Sequence, residues 1–247
     1  MVLGAARART RPVLGAALAT LLLMGCTSGP ASTGESRDSD PGPTSATSPP
    51  ERRSPSSEAP AATEAAPPET GPEPSDGRPR RATLTIRKLG ITDLPVVPYR
   101  GRTDDAPGTE IQDGGVAASP HGPAGGVGPG GIGNYQVTAH RLSSTKAFLD
   151  LPALRRGDRV VVEAGERRYV YEITATRRTS FRSPASLRAQ RAAVPGRPGK
   201  EPTRAMITLS TCATPEDRAA GNYWSDEFGN PEHRIDKIGV LVASGTR

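Results

Sequence analysis

Arg159-Val160-Val161-Val162-Glu163, followed by Ala164-Gly165-Glu166 and Tyr169-Val170-Tyr171-Glu172-Ile173, reads as two strands joined by a tight turn. Apolar residues recur at every second position, less cleanly in the first run, and Gly165 stands where a hairpin needs a turn residue. The same period of two appears in Thr83-Leu84-Thr85-Ile86-Arg87. Tyr135-Gln136-Val137-Thr138-Ala139, Met206-Ile207-Thr208-Leu209-Ser210 and Lys237-Ile238-Gly239-Val240-Leu241-Val242 are further short strand candidates. Residues 187–194 and 146–154 can each hold a turn or two of helix, the second limited by Pro152. Short strands separated by Gly, Pro and Asp predict a mainly β domain, a barrel or a sandwich. No internal repeat is visible.

Upstream of these strands the composition changes. Residues 27–80 contain no Val, Ile, Leu, Met, Phe, Tyr or Trp, only Pro, Ser, Thr, Ala, Gly and charged residues. Such a segment cannot bury enough apolar surface to offset the entropy of ordering it, so it is expected to be a disordered tether. At ~5 to 6 Å × √n, its roughly 54 residues have a reach of about 40 Å. This places the folded domain at residues 81–247. The whole chain of 247 residues is only 34% hydrophobic and 4% aromatic, with 28 Gly and 26 Pro, which fits a partly unfolded protein.

The N-terminus carries an address. Arg7, Arg9 and Arg11 precede an apolar run from Val13 to Met24. A basic region followed by a short apolar run is the pattern of a secretory signal, here residues 1–26. The run is shorter than the ~20 residues of a membrane-spanning helix. Leu23-Met24-Gly25-Cys26 resembles a bacterial lipobox, so Cys26 is expected to carry lipid, with an uncleaved signal anchor as the alternative. Either form holds the remaining chain at the outer face of the cytoplasmic membrane.

The only cysteines are Cys26 and Cys212, so lipid on Cys26 leaves Cys212 unpaired. An unpaired thiol in an exported protein needs either burial, as a small hydrophobe, or a chemical role. Cys212 ends the strand candidate Ile207-Thr208-Leu209-Ser210-Thr211-Cys212, where a rigid element hands over to a loop. Of the three histidines, His121 lies in a Gly/Pro-rich stretch and reads as an exposed loop residue. His140 directly follows the strand candidate ending at Ala139, a placement shared by structural and catalytic histidines alike. Arg234 lies just before the last strand candidate. A nearby cation lowers the pKa of a thiol, and a guanidinium can donate to the oxyanion formed on an attacked carbonyl.

These residues resemble those of the sortase family. The resemblance covers nearly all of residues 81–247. Thr85-Ile86-Arg87-Lys88-Leu89-Gly90-Ile91 with Leu94-Pro95-Val96-Val97 is similar to the family's first strands, and Gly133 to Arg141 to the strand bearing its catalytic His. Phe148-Leu149-Asp150-Leu151 and Leu154 to Val160 match the segment that follows. Thr208-Leu209-Ser210-Thr211-Cys212 is similar to the TLxTC nucleophile motif, and His233-Arg234-Ile235 to the position of the catalytic Arg. Ala139 stands where many members have Gly, and the segment between Cys212 and Arg234 is longer than in compact members. The resemblance implies a closed β-barrel with short helices, and within the family an actinobacterial class E-like type.

It also implies a cysteine transpeptidase with Cys212 as nucleophile, His140 as acid and base, and Arg234 holding the signal and oxyanion. The substrate implied is an LPxTG- or LAxTG-like sorting signal on an exported protein, cut between Thr and Gly. The acceptor implied is an amine of a peptidoglycan precursor in the cell wall. Thr211 and Trp224 are expected to touch the peptide, and residues 222–228 to shape its groove. No cofactor is called for. An L,D-transpeptidase is the alternative enzyme, but its Ser-x-Gly-Cys pattern is absent around Cys212. An inactive sortase-fold lipoprotein that binds wall or protein is the non-enzymatic alternative.

Other motifs fail on context. Gly126-Val127-Gly128-Pro129-Gly130-Gly131 satisfies GxGxxG but precedes a strand and contains Pro, so it reads as a flexible loop. The scattered histidines offer no zinc spacing. A net charge of +6 without a basic-aromatic stripe does not indicate nucleic acid.

Overall fold

The computed structural model describes residues 71–247. The signal region, Cys26 and residues 27–70 of the expected tether lie outside the described residues. Eight strands close into a barrel in the order β1-β2-β3-β4-β7-β8-β6-β5. They are β1 (Ala82–Ile86), β2 (Ile91–Arg100), β3 (Ala117–His121), β4 (Gly133–Thr138), β5 (Arg159–Ala164), β6 (Arg167–Ser180), β7 (Ala205–Cys212) and β8 (His233–Thr246). Helices α1 (Ala106–Asp113), α2 (Pro184–Arg191) and α3 (Thr214–Ala219) lie in the connections. The mainly β barrel with short helices is therefore the observed fold.

Alternation drives closure. Leu84, Ile86, Tyr135, Val137, Val160, Val162, Tyr169, Tyr171, Ile173, Ile207 and Leu209 all point inward and are fully or almost fully buried. An eight-stranded barrel is just wide enough for such side chains to fill. β5 and β6 form the expected hairpin, with Ala164 opposite Arg167 and Gly165 at φ +60 in the turn. β6 runs on to Ser180 because its polar half pairs with β8 down to Ser180↔His233.

Two pairings govern the site. β4 and β7 run parallel, from Gly133↔Ala205 to Thr138↔Ser210. β7 and β8 run antiparallel, ending at Cys212↔Arg234. The C-terminal ends of β4 and β7 and the start of β8 thus share one rim of the barrel.

The outward face of β4 departs from simple alternation. Asn134, Gln136 and Thr138 are polar yet buried. The β6–β7 connection, with α2, covers them: Asn134 Nδ2 donates to the carbonyls of Gln190 and Ala192 at 3.1 Å, and Gln136 Nε2 to that of Arg191.

Residues 71–80 run along the far end of the barrel. The Ser75 amide donates to Gly130 O at 2.8 Å, the Gly128 amide to Gly77 O at 2.7 Å, and Ser244 Oγ to Glu73 O at 2.8 Å. The glycine-rich loop before β4 is packed, not free: a Cβ on Gly128 would lie 1.9 Å from Arg78 O. Residues 146–154 form only a single 3-10 turn (Leu151–Ala153), limited by Pro152, whereas the 187–194 candidate appears as α2, placed three residues earlier at Pro184–Arg191.

Candidate functional site

Cys212 ends β7 and Arg234 lies near the start of β8, while His140 follows the end of β4 by two residues at the same rim. Arg234 is the direct cross-strand partner of Cys212. The β4–β7 ladder ends at Thr138↔Ser210, two residues before His140 and Cys212. Two contacts tie the ends of these strands together: the Ala139 amide donates to Ser210 O at 3.3 Å, and Thr211 Oγ1 donates to Ala139 O at 2.8 Å. Thr211, expected to touch the peptide, is buried with its hydroxyl proton committed to that carbonyl. Its geometry makes it a tie between the His and Cys strands.

Cys212 is a free, half-buried thiol. Burial pushes its pKa up, Arg234 pulls it back, Asp104 and Asp226 oppose Arg234, and Arg141 assists it. The site therefore favours a neutral thiol that must hand its proton to a base. His140, near the same rim, has its Nε2 2.8 Å from Asp113 Oδ1.

Arg234 is completely buried beneath Phe181, its guanidinium carbon 4.2 Å from the ring centroid. Burial works against its charge, but Asp104 and Cys212 outweigh that and hold it protonated. Nε donates to Asp104 Oδ2 at 3.0 Å, and Nη1 to the carbonyls of Pro231 and His233 at 3.4 and 3.5 Å. Nη2 is buried without any hydrogen-bond partner. An unpaired buried donor is costly, and a guanidinium with one open nitrogen is prepared for an acceptor.

Arg141 supports the other side of the thiol. It is buried, donates to Cys212 O at 3.2 Å, and makes a two-pronged pair with Glu216 of α3, one bond at 2.9 Å. This fixes the turn after Cys212. His233 is held by Asp217 at 2.9 Å, with Arg178 on the same carboxylate. His121 ends β3, opposite Arg100 of β2, and is not a loop residue. Among the described residues, no group of His, Cys, Asp and Glu is arranged to hold a metal ion.

Beside Arg234 a cavity of about 500 Å³ is walled by Thr103, Pro107, Phe181, Leu187 and Phe228, with charged groups including Asp104 and Glu227 around it. Residues 222–228 contribute to it through Asp226, Glu227 and Phe228. Trp224 lies to one side, its ring 5.8 Å from the Arg182 guanidinium. Asp226 is the loop's organiser, since its carboxylate accepts from the Phe228 and Asn230 amides and from Asn230 Nδ2.

Sequence reading did not find Asp104, Asp113 or the Arg141–Glu216 pair. The signal available was Asp105-Ala106-Pro107, a helix N-cap followed by Pro. Asp105 does cap α1, accepting from the Gly108 amide at 3.1 Å.

A family model of the sortase domain matches residues 84–224, a span that stops short of Arg234. Among solved structures the chain is similar to the SrtA sortase from Actinomyces oris, with 23% identity over 75% of this chain and 90% of that one, at a TM-score of 0.52. It is also similar to sortase E1 from Streptomyces coelicolor, solved with a tripeptide in the active site. There the identity is 23% over 71% of this chain and 94% of that one, at a TM-score of 0.50. At such identities the likeness concerns the fold. No curated protein matches the sequence.

Proposed function

The chain belongs to the sortase family, and on that premise we propose that it is a cysteine transpeptidase acting on the sorting signals of exported proteins. The observation that carries this reading is the Cys212↔Arg234 rung with His140 just past the end of the neighbouring β4, and with Arg234 Nη2 lacking a partner.

The chemistry follows from this arrangement. His140 takes the Cys212 proton, and the thiolate attacks the peptide carbonyl. Arg234 Nη2 donates to the oxyanion that forms. His140 returns the proton to the leaving amine as the C–N bond breaks, which leaves a Cys212 thioester. An incoming amine, deprotonated by His140, attacks the thioester, forms the new amide and releases the thiol.

The finer reading is an LPxTG- or LAxTG-like signal cut between Thr and Gly, in a class E-like sortase. The acceptor is an amine of a peptidoglycan precursor. Cys26 lipid or an N-terminal anchor holds the protein at the outer face of the membrane, and the barrel works in the cell wall.

The test is incubation of the full-length chain with xPxTG and xAxTG peptides plus an amine. The expected product is the amine-capped peptide, with a Cys212 thioester seen by mass spectrometry in wild type and absent in Cys212→Ala. Equal cleavage by folded Cys212→Ala would sink this reading.

A further inference from the structure

A single short helix reaches both partners of Cys212. Asp104, two residues before α1, holds Arg234 Nε at 3.0 Å. Asp113, the last residue of α1, holds His140 Nε2 at 2.8 Å. The eight residues of α1 span about 12 Å at ~1.5 Å per residue, the scale of a bridge across the end of adjacent strands. We propose that Asp113 is a positioning residue for His140, fixing the imidazole with its Nε2 proton outward and Nδ1 turned to the chemistry. This rests on the reading of Cys212 and His140 as the reacting pair.

The surrounding contacts are those of a built support. Asp105 caps the start of α1 through Gly108 N. Asp104 adopts φ +58, a left-handed conformation that persists only when neighbouring contacts require it. At the other end, the segment after His140 is stitched to the end of α1. Ser144 Oγ donates to Asp113 O at 2.9 Å, and Thr145 Oγ1 to Gly115 O at 3.1 Å. The Phe148 amide returns to His140 O at 3.0 Å, and Phe148 is wholly buried. The imidazole and its carboxylate are therefore anchored by one set of contacts.

Chemically, a carboxylate accepts and cannot donate. The neutral ring must then carry its proton on Nε2, because the partner of one ring nitrogen sets the tautomer. Nδ1 keeps its lone pair for the thiol or amine proton. When the ring is charged by that proton, Asp113 faces the positive imidazolium and stabilises it. The same logic applies wherever a base is oriented by a third group. The Asp113 side chain is 64% exposed, so it is not a packing element and its removal opens no cavity.

The test uses the full-length chain labelled with 15N-histidine. There are only three histidines, so His140 is assigned by comparison with His140→Gln. Wild type should give the Nε2-protonated neutral form. Asp113→Ala should shift His140 toward a mixture of tautomers, whereas Asp113→Asn, whose amide oxygen still accepts, should largely keep it. Asp113→Ala should lower kcat with little change in KM, by no more than the ~10² to 10⁴-fold that an acid–base group supplies. Asp113→Asn should fall between Ala and wild type, and melting should be unchanged in both. An unchanged His140 spectrum in folded Asp113→Ala overturns the proposal, as does an altered spectrum with wild-type kcat. If wild type cleaves no peptide, the transpeptidase reading fails and the spectrum alone decides the role of Asp113.

Discussion

Cys212 and Arg234 face each other across the last rung of the β7–β8 ladder. The guanidinium is the main group opposing the effect of burial on the thiol. Its effect is held in check because Asp104 shares the same guanidinium.

The pH profile of thiol alkylation should report this balance. In wild type the rate should rise into the alkaline range, since burial keeps the thiol protonated. Arg234→Gln should move the midpoint further up. An unmoved midpoint in a protein of native circular dichroism would remove Arg234 from the electrostatics of Cys212.

Arg141 and Glu216 should be a stability pair first and a rate pair second. Arg141→Met cuts four hydrogen bonds, three around the turn after Cys212 and one to Leu149 O. The expected cost is ~1 to 3 kcal/mol, reduced from the buried-pair range because Glu216 is 38% exposed. Urea unfolding of Arg141→Met, Glu216→Gln and the double variant measures it. Additive single effects would mean that the pair does not act together.

Trp224 is the only tryptophan, which makes the β7–β8 loop visible by fluorescence. Asp226→Ala removes the acceptor for two loop amides and should release Trp224 from Arg182. A red-shifted emission with a melting temperature within a few degrees of wild type is expected. An unchanged spectrum would mean that the loop keeps its form without Asp226.

Asp236 lies two residues beyond Arg234 and is fully enclosed. It accepts from Thr179 Oγ1 and Ser210 Oγ at 2.6 Å and from Gln190 Nε2 at 2.8 Å. Burial raises its pKa more than these bonds lower it. The folded state then binds this proton more tightly than the unfolded chain. Its contribution to stability is full below the ordinary carboxylate pKa and is lost as pH rises through the raised value. Asp236→Asn should flatten that part of the curve of urea midpoint against pH. A curve parallel to wild type from pH 4 to 8 would contradict it.

The parts of the fold legible in sequence were those where alternation meets a one-sided core. Tyr135, Val137, Ile207 and Leu209 announce β4 and β7 directly. β3 escaped notice because Ala117-Ala118-Ser119-Pro120-His121 is small and broken by Pro, yet it is buried on nearly every residue. α1 escaped because Pro107 and Gly108 weaken a helix pattern that its cap restores. In the site, Cys212 and His140 could be picked out because each is a distinctive side chain at or just past the end of a strand. Asp104 and Asp113 could not, since their significance depends on how a distant loop lands against β4 and β8. The polar face of β4 likewise gave no hint that Gln190 would cover it.

The docking of residues 73–77 has a mechanical consequence. Their contacts fall on Arg167, Ser244 and the loop before β4. Ten residues of β8 separate Ser244 from Arg234, roughly 30 Å of strand at ~3.3 Å per residue. Force applied at Gly71 would therefore enter the barrel near Ser244, at the opposite end of β8 from Arg234, the rung that pairs with Cys212.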